Sequence, residues 1–276
     1  MQKEYNTNST FIKSLDYIKC QMILSFKSLR EYKANFFLGI FSTIMFTLIG
    51  FVFVFAIETA FRDILDWSFK EYFFFIIIHG FTVLWSAMFW FDLNLDKHIL
   101  SGSINAYLTK PINPFIQYLF SVSHIFLAAG ELIYTPMLIY FLIFVYIDYT
   151  FVILLKLALF VFLNIIFYIS VYRMLESIAF FFKNSKVFFK FYNSYSNTFD
   201  RYPAIIFNQS KFLYFFVFLS VNAYSGTFAT EILFNNISSQ FYWLLIKILF
   251  SLSMICIFIL ILNWKIGLKK YEGFGG

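Results

Sequence analysis

Apolar residues gather along this chain in six long blocks, at 34–57, 72–91, 115–147, 151–172, 212–234 and 241–263. Lysine, aspartate, asparagine and proline reappear between them. A helix needs about 20 apolar residues to cross a hydrocarbon core, so each block predicts a spanning helix. The third is too long to stand upright, reaching roughly 50 Å at 1.5 Å per residue. It tilts, begins in the cytoplasm, or breaks near Gly130 and Pro136, and the pattern leaves these three open. Residues 11–33 repeat differently. Phe11, Leu15, Ile18, Met22, Phe26 and Leu29 recur at spacings of three and four, with Lys13, Asp16, Lys19, Lys27 and Arg30 mostly between them. That pattern predicts a basic amphipathic helix lying in the membrane interface. A helical stop-transfer flank is the plainer alternative.

Composition agrees with the bilayer as solvent. Of 276 residues, 61% are hydrophobic and only 13% charged, against about a quarter charged in soluble domains. So few charges could not screen 44 phenylalanines from water. Excess Phe, Ile, Lys and Asn is also what A·T-rich codons give, so aromatic stripes receive no functional weight. The reading is one polytopic membrane domain over residues 1–276. No repeat of 20 to 50 residues and no cleavable signal sequence is expected. Cys20 and Cys256 make no disulfide framework.

Charge then orients the chain. With the N-terminus inside, seventeen of the 21 lysines and arginines fall in cytoplasmic segments 1–33, 92–114, 173–211 and the tail. Only Arg62 and Lys70 fall in outer loops, while Lys156 and Lys247 snorkel from within spans. Both termini are therefore expected in the cytoplasm.

Candidate chemistry is sparse. The three histidines stand in HGFTV, HILSG and HIFLA, so no HExxH zinc motif exists. DLNLDK at 92–97 opens like a calcium loop, but Lys97 and Ser103 occupy the positions that need glycine and glutamate. There is no nucleophile elbow, phosphate-binding loop or Cys/His cluster, so neither a cofactor nor a resident metal is expected. His79 and His124 are read as packing or helix-to-helix hydrogen-bonding residues. Glu131 stands inside the third block, and an acid within a span is a functional candidate by default. Glu131 is a possible pathway residue; pairing for packing alone is its plain alternative. Glu231 lies near the outer end of the fifth block.

One stretch interrupts the greasy pattern with a purpose. LSGSINAYLTKPINPF at 100–115 lies on the cytoplasmic side by charge. Residues 96–108 can form a short helix, with Ser101 or Ser103 capping or breaking it. Lys110–Pro111 and Asn113–Pro114 then impose extended geometry, because proline restricts itself and the residue before it. Pro114 suits the first position of a helix, where its missing N–H costs little. An ordinary connector with turn residues is the alternative.

With Gly102, Leu108, Lys110–Pro111 and Pro114 after the second span, the chain resembles the ABC-2 family of transporter permeases. RYPAIIFNQSKFLYFF at 201–216 is similar to that family's segment before the fifth span, with Tyr202 and Pro203 as its Tyr-Pro pair. WKIGLKKYEGFGG at 264–276 is similar to its basic tail. One departure is that 219–234 lacks the prolines usual in the outer re-entrant part, leaving Ser225, Gly226 and Thr227 as candidates for a helix break.

The resemblance implies an all-α fold like that of type V exporters. It has six transmembrane helices, an interfacial N-terminal helix and a cytoplasmic coupling helix between spans two and three. It implies the permease subunit of an ABC transporter, not itself an enzyme, exporting a hydrophobic or amphipathic substrate by alternating access. The expected partners are separate ABC ATPase (nucleotide-binding) subunits, a second permease subunit (the same or related) and membrane lipids, with no nucleic acid. The expected location is a bacterial plasma membrane. Asp96, Gly102, Leu108, Lys110, Pro111 and Pro114 are the residues expected to couple to the ATPase. The alternatives are a polytopic enzyme acting on lipid, with Glu131 as acid or base, and a membrane scaffold without transport.

Overall fold

Backbone amides cannot stay unpaired in hydrocarbon, so a chain this apolar must close its hydrogen bonds within helices. The computed structural model describes residues 7–61, 67–90, 94–121, 128–145, 150–182 and 185–271, and every regular element among them is helical. In order these are α1 (Thr7–Glu31), α2 (Lys33–Phe61), α3 (Phe69–Trp90), α4 (Leu95–Leu100), α5 (Asn105–Leu108), α6 (Pro114–Ser121) and α7 (Ala128–Phe144). There follow α8 (Phe151–Ser177), α9 (Lys186–Ser196), α10 (Thr198–Arg201), α11 (Lys211–Val217), α12 (Val221–Ala223), α13 (Ala229–Leu233) and α14 (Ser239–Lys270). Tight 3₁₀ turns occupy Ile178–Phe180 and Ala204–Gln209, and a π turn at Tyr224–Phe228 joins α12 to α13.

Among the described residues, three stretches are long and apolar enough to cross a membrane: Lys33–Phe53 in α2, Phe151–Phe180 and Ser239–Lys270. The core lies where α3, α7, α8, α14 and the 221–233 helix meet, around Phe74, Phe141, Phe160, Tyr224, Leu245 and Leu249. Small residues allow the closest crossings. A Cβ on Gly80 would come within 2.3 Å of the Tyr134 ring, so α3 and α7 touch through that glycine. Thr47 then donates to the Tyr134 hydroxyl at 3.0 Å, tying α2 to the same spot.

Four expectations change. Gly130 and Pro136 lie inside a continuous α7, so no break occurs at either; residues 122–127 lie outside the described residues. The block at 212–234 is not one straight span, because α11 and the 221–233 helix meet at 85°. That bend falls at Phe218–Ser220, not at Ser225–Thr227, where the helix only widens into its π turn. Finally, residues 186–209, expected as connecting chain between the fourth and fifth blocks, form short helices packed against the core.

Tyrosine hydroxyls make the bend possible. Tyr195 donates to the carbonyl of Phe216, Tyr192 to that of Leu219 at 2.9 Å, and Tyr224 to that of Phe218 at 3.0 Å. The Val221 N–H donates back to Tyr192 at 3.2 Å, and Ser196 pairs with Ser220 at 2.9 Å. Backbone freed from the helix ladder thus finds partners on α9 and in the π turn.

Candidate functional site

Six candidate coupling residues fall in one segment. Asn94 starts it, α4 and α5 form its two short helices, and α6 carries it back to the bundle. The single helix expected over 96–108 is therefore divided. Gly102 explains the division: its φ of 71° lies in the left-handed region, where glycine avoids the Cβ clash. His98 and Ser103 close the turn around it, 2.7 Å apart. Leu108, Lys110 and Pro111 are exposed at the tip, and Pro114 opens α6. Asp96 approaches Lys186 at 4.0 Å, and Lys186 also donates to Asn94 at 3.3 Å.

The proline stretch is held by one amide. Gln117, fully buried, donates through Nε2 to the carbonyls of Tyr107 at 2.9 Å and Ile112 at 2.7 Å. The Asn113 side chain accepts the Phe115 N–H at 2.9 Å and turns the chain into α6. Tyr17 of α1 donates to the Gln117 carbonyl at 3.3 Å, and burial pushes its phenol up, so it stays a donor.

Beneath the segment lies its seat. Leu95 and Ile104 pack with Tyr118, Ala179 and Trp264 in a small core of their own, joined by Ile99, Tyr107, Phe115 and Phe180. At its centre is an ion pair not anticipated from sequence. Arg173 Nη1 donates to Glu176 Oε2 at 2.7 Å, with side chains only 1% and 2% exposed. Glu176 Oε1 accepts from the Tyr118 hydroxyl and, at 3.2 Å, from the N–H of Leu95. The carboxylate thus satisfies an orphan donor at the start of α4 from a different helix. The Arg173 guanidinium lies 5.3 Å from the centre of the Tyr118 ring, which in turn stacks on Trp264 at 5.4 Å. The signal was present as an Arg-x-x-Glu spacing on one helix face, but Arg173 read as one more cytoplasmic cation.

The other candidates lie apart. Glu131 belongs to α7, and its side chain lies outside the described residues. Tyr202 meets Phe53 edge-on at 5.8 Å and, with Ile206, packs against Trp67, Tyr72 and Phe75. Pro203 is buried, and the next amide, Ala204 N–H, donates to Thr227 at 2.8 Å. His79 links helices as expected, 2.6 Å from Ser225 and 3.4 Å from Asp200. His124 lies outside the described residues. Glu231 accepts from the Trp67 indole at 2.6 Å. No group of three potential metal ligands occurs among the described residues.

Residues 41–275 match the family described as ABC-2 family transporter protein. The chain belongs to that family. The match begins within α2 and covers the later helices, the 94–114 segment and its seat. No curated protein and no solved structure matches the chain. As an ABC-2 protein with long apolar helices, it is a multi-pass membrane protein and a transport subunit of an ABC system, a family that works with ABC ATPase subunits.

Proposed function

We propose that this ABC-2 protein is the permease of an exporter in a bacterial plasma membrane. It moves a hydrophobic or amphipathic substrate by alternating access, driven by separate ATPase subunits that grip residues 92–114. The observation that carries this reading is the 94–114 segment itself. It is an exposed tip braced by Gln117 and seated against α6, the Ile178–Phe180 turn that follows α8, and α14. A push there reaches α6, α8 and α14 together. ATP can shift the equilibrium only if the loaded ATPase binds one conformation of this seat better than the other. A second permease, a copy or a relative, completes the pathway, and the exposed apolar face of α1 (Leu15, Met22) rests on lipid. Glu131 is retained as a pathway residue, with altered transport in Glu131→Gln as its sign. Purifying the permease from its native membrane tests the reading. A P-loop ATPase that co-purifies and crosslinks to residues 97 or 110 supports it; a permease that transports without one overturns it.

Six crossings with both termini inside remain our reading, with the fifth moved. Lys186 meets Asp96 at the coupling end. Tyr202 and Ile206 meet Trp67, beside the start of α3 at the opposite end. This supports a fifth crossing at about 186–206, formed by α9 and α10. Residues 211–233 then form a hairpin dipping into the membrane from outside. Placing Lys190 and Arg201 within the crossing and Lys211 outside still leaves most lysines and arginines in the cytoplasm.

A further inference from the structure

Arg173 is under-used for a buried cation. Its side chain is 1% exposed, yet among the described residues Nε and Nη2 have no hydrogen-bond partner, and the space among Tyr118, Arg173, Glu176 and Trp264 does not admit a water. A guanidinium presents five donors in a fixed fork and pairs best with both oxygens of a carboxylate. Here the pair is monodentate for a visible reason. Glu176 Oε1 is already taken by the Tyr118 hydroxyl and the Leu95 N–H. Those two donors belong to α6 and α4, the two ends of the coupling segment.

We propose that Arg173 and Glu176 are positioning residues forming an exchange latch between the coupling segment and α8. In the arrangement described, Oε1 holds α4 and α6 while half of the Arg173 fork idles. When the ATPase draws Leu95 and Tyr118 away, the idle donor takes their place on Oε1 and the pair becomes bidentate. No proton moves and no charge is left alone, so the carboxylate is satisfied in both positions. Two discrete, satisfied arrangements make a bistable joint, whereas a single apolar contact would only weaken with distance. The latch deepens the function proposed above and rests on its reading that residues 92–114 engage the ATPase.

The test uses the full-length permease in nanodiscs, alone and with its ATPase. Glu176→Gln keeps acceptors for Leu95 and Tyr118 but cannot bind the fork as an ion pair. Because a lone buried Arg173 can unfold the chain, the decisive variant is the double Arg173→Met/Glu176→Met. Replacing both members of a buried pair by apolar groups is often neutral to stability. In the permease alone, amide exchange over residues 95–100 should rise about tenfold while the thermal midpoint holds. In the complex, the partner still hydrolyses ATP, but transport per ATP should fall about tenfold. The single variant Arg173→Lys, which keeps Glu176 and the positive charge, should retain part of the protection but not the transport ratio, because an ammonium lacks the fork. Unchanged exchange in the double variant overturns the latch. Faster exchange with native transport per ATP supports the latch as a tether but overturns the coupling role of 92–114. Native transport per ATP in Arg173→Lys overturns the exchange step.

Discussion

Gly267 faces Phe180 so closely that a Cβ on it would come within 2.2 Å of the ring carbon Cγ and 2.5 Å of the Phe180 Cβ. The end of α14 therefore docks on the Ile178–Phe180 turn through an absent side chain. Gly267→Ala must push α14 away from the seat, since Phe180 cannot retreat at its own Cβ. The expected loss is about 1–3 kcal/mol, the usual range for overpacking, read as a lower thermal midpoint in detergent. Ala in the exposed helix face nearby, at Ile266, should leave the midpoint nearly unchanged.

Gln117 makes a prediction about the tip. Gln117→Leu removes the donor shared by the carbonyls of Tyr107 and Ile112, each bond contributing about 1 kcal/mol. Amide exchange and protease cleavage should increase within 105–113 while α8 and α14 stay protected. Uniform loss of protection across the chain would show that Gln117 supports the whole bundle instead.

Softening the proline stretch should uncouple transport from ATP. Glycine at Pro111 and Pro114 frees two φ angles without touching Gln117 or the seat. Assembly and ATP hydrolysis should persist, with substrate stimulating the ATPase less and transport per ATP falling several-fold, as an estimate for a loosened coupling. A double-glycine permease with native transport per ATP would reduce the segment to a connector.

The revised crossings can be read by labelling. In a background lacking Cys20 and Cys256, cysteines at Lys211 and Gln240 should react with an impermeant thiol reagent in intact cells. Cysteines at Lys97 and Lys110 should react only after permeabilisation. Protection of position 211 together with reaction at 240 would return the fifth crossing to 212–234.

Much of this arrangement is legible in the residue pattern because hydrocarbon imposes simple demands. α2, α3, α8 and α14 follow their apolar blocks closely, and the Lys-Pro stretch announces an element that leaves the bundle. Other parts escape for physical reasons. A hydropathy block cannot reveal a bend whose carbonyls are satisfied by Tyr192 and Tyr195 from another segment. α9 and α10 read as loop because Lys186, Lys190, Asn193, Asn197 and Asp200 dilute them. Their burial depends on partners such as Tyr172, which donates to Asn193 at 3.1 Å. Arg173 carries the same ambiguity: its charge and the i+3 spacing to Glu176 are visible in sequence, but the Tyr118 ring that shelters it meets it only in three dimensions.

The tyrosine-pinned bend also dictates an order of assembly. Segments as polar as 186–201 do not partition into hydrocarbon by themselves. α9 satisfies the bend with its hydroxyls, and the bend's helix, with α8, gives α9 its place. Neither half has a home before the other exists, so under the proposed fifth crossing this part of the molecule would enter the bilayer as a folding event after synthesis of residue 233. A released chain ending before residue 221 should accordingly leave 186–209 open to protease.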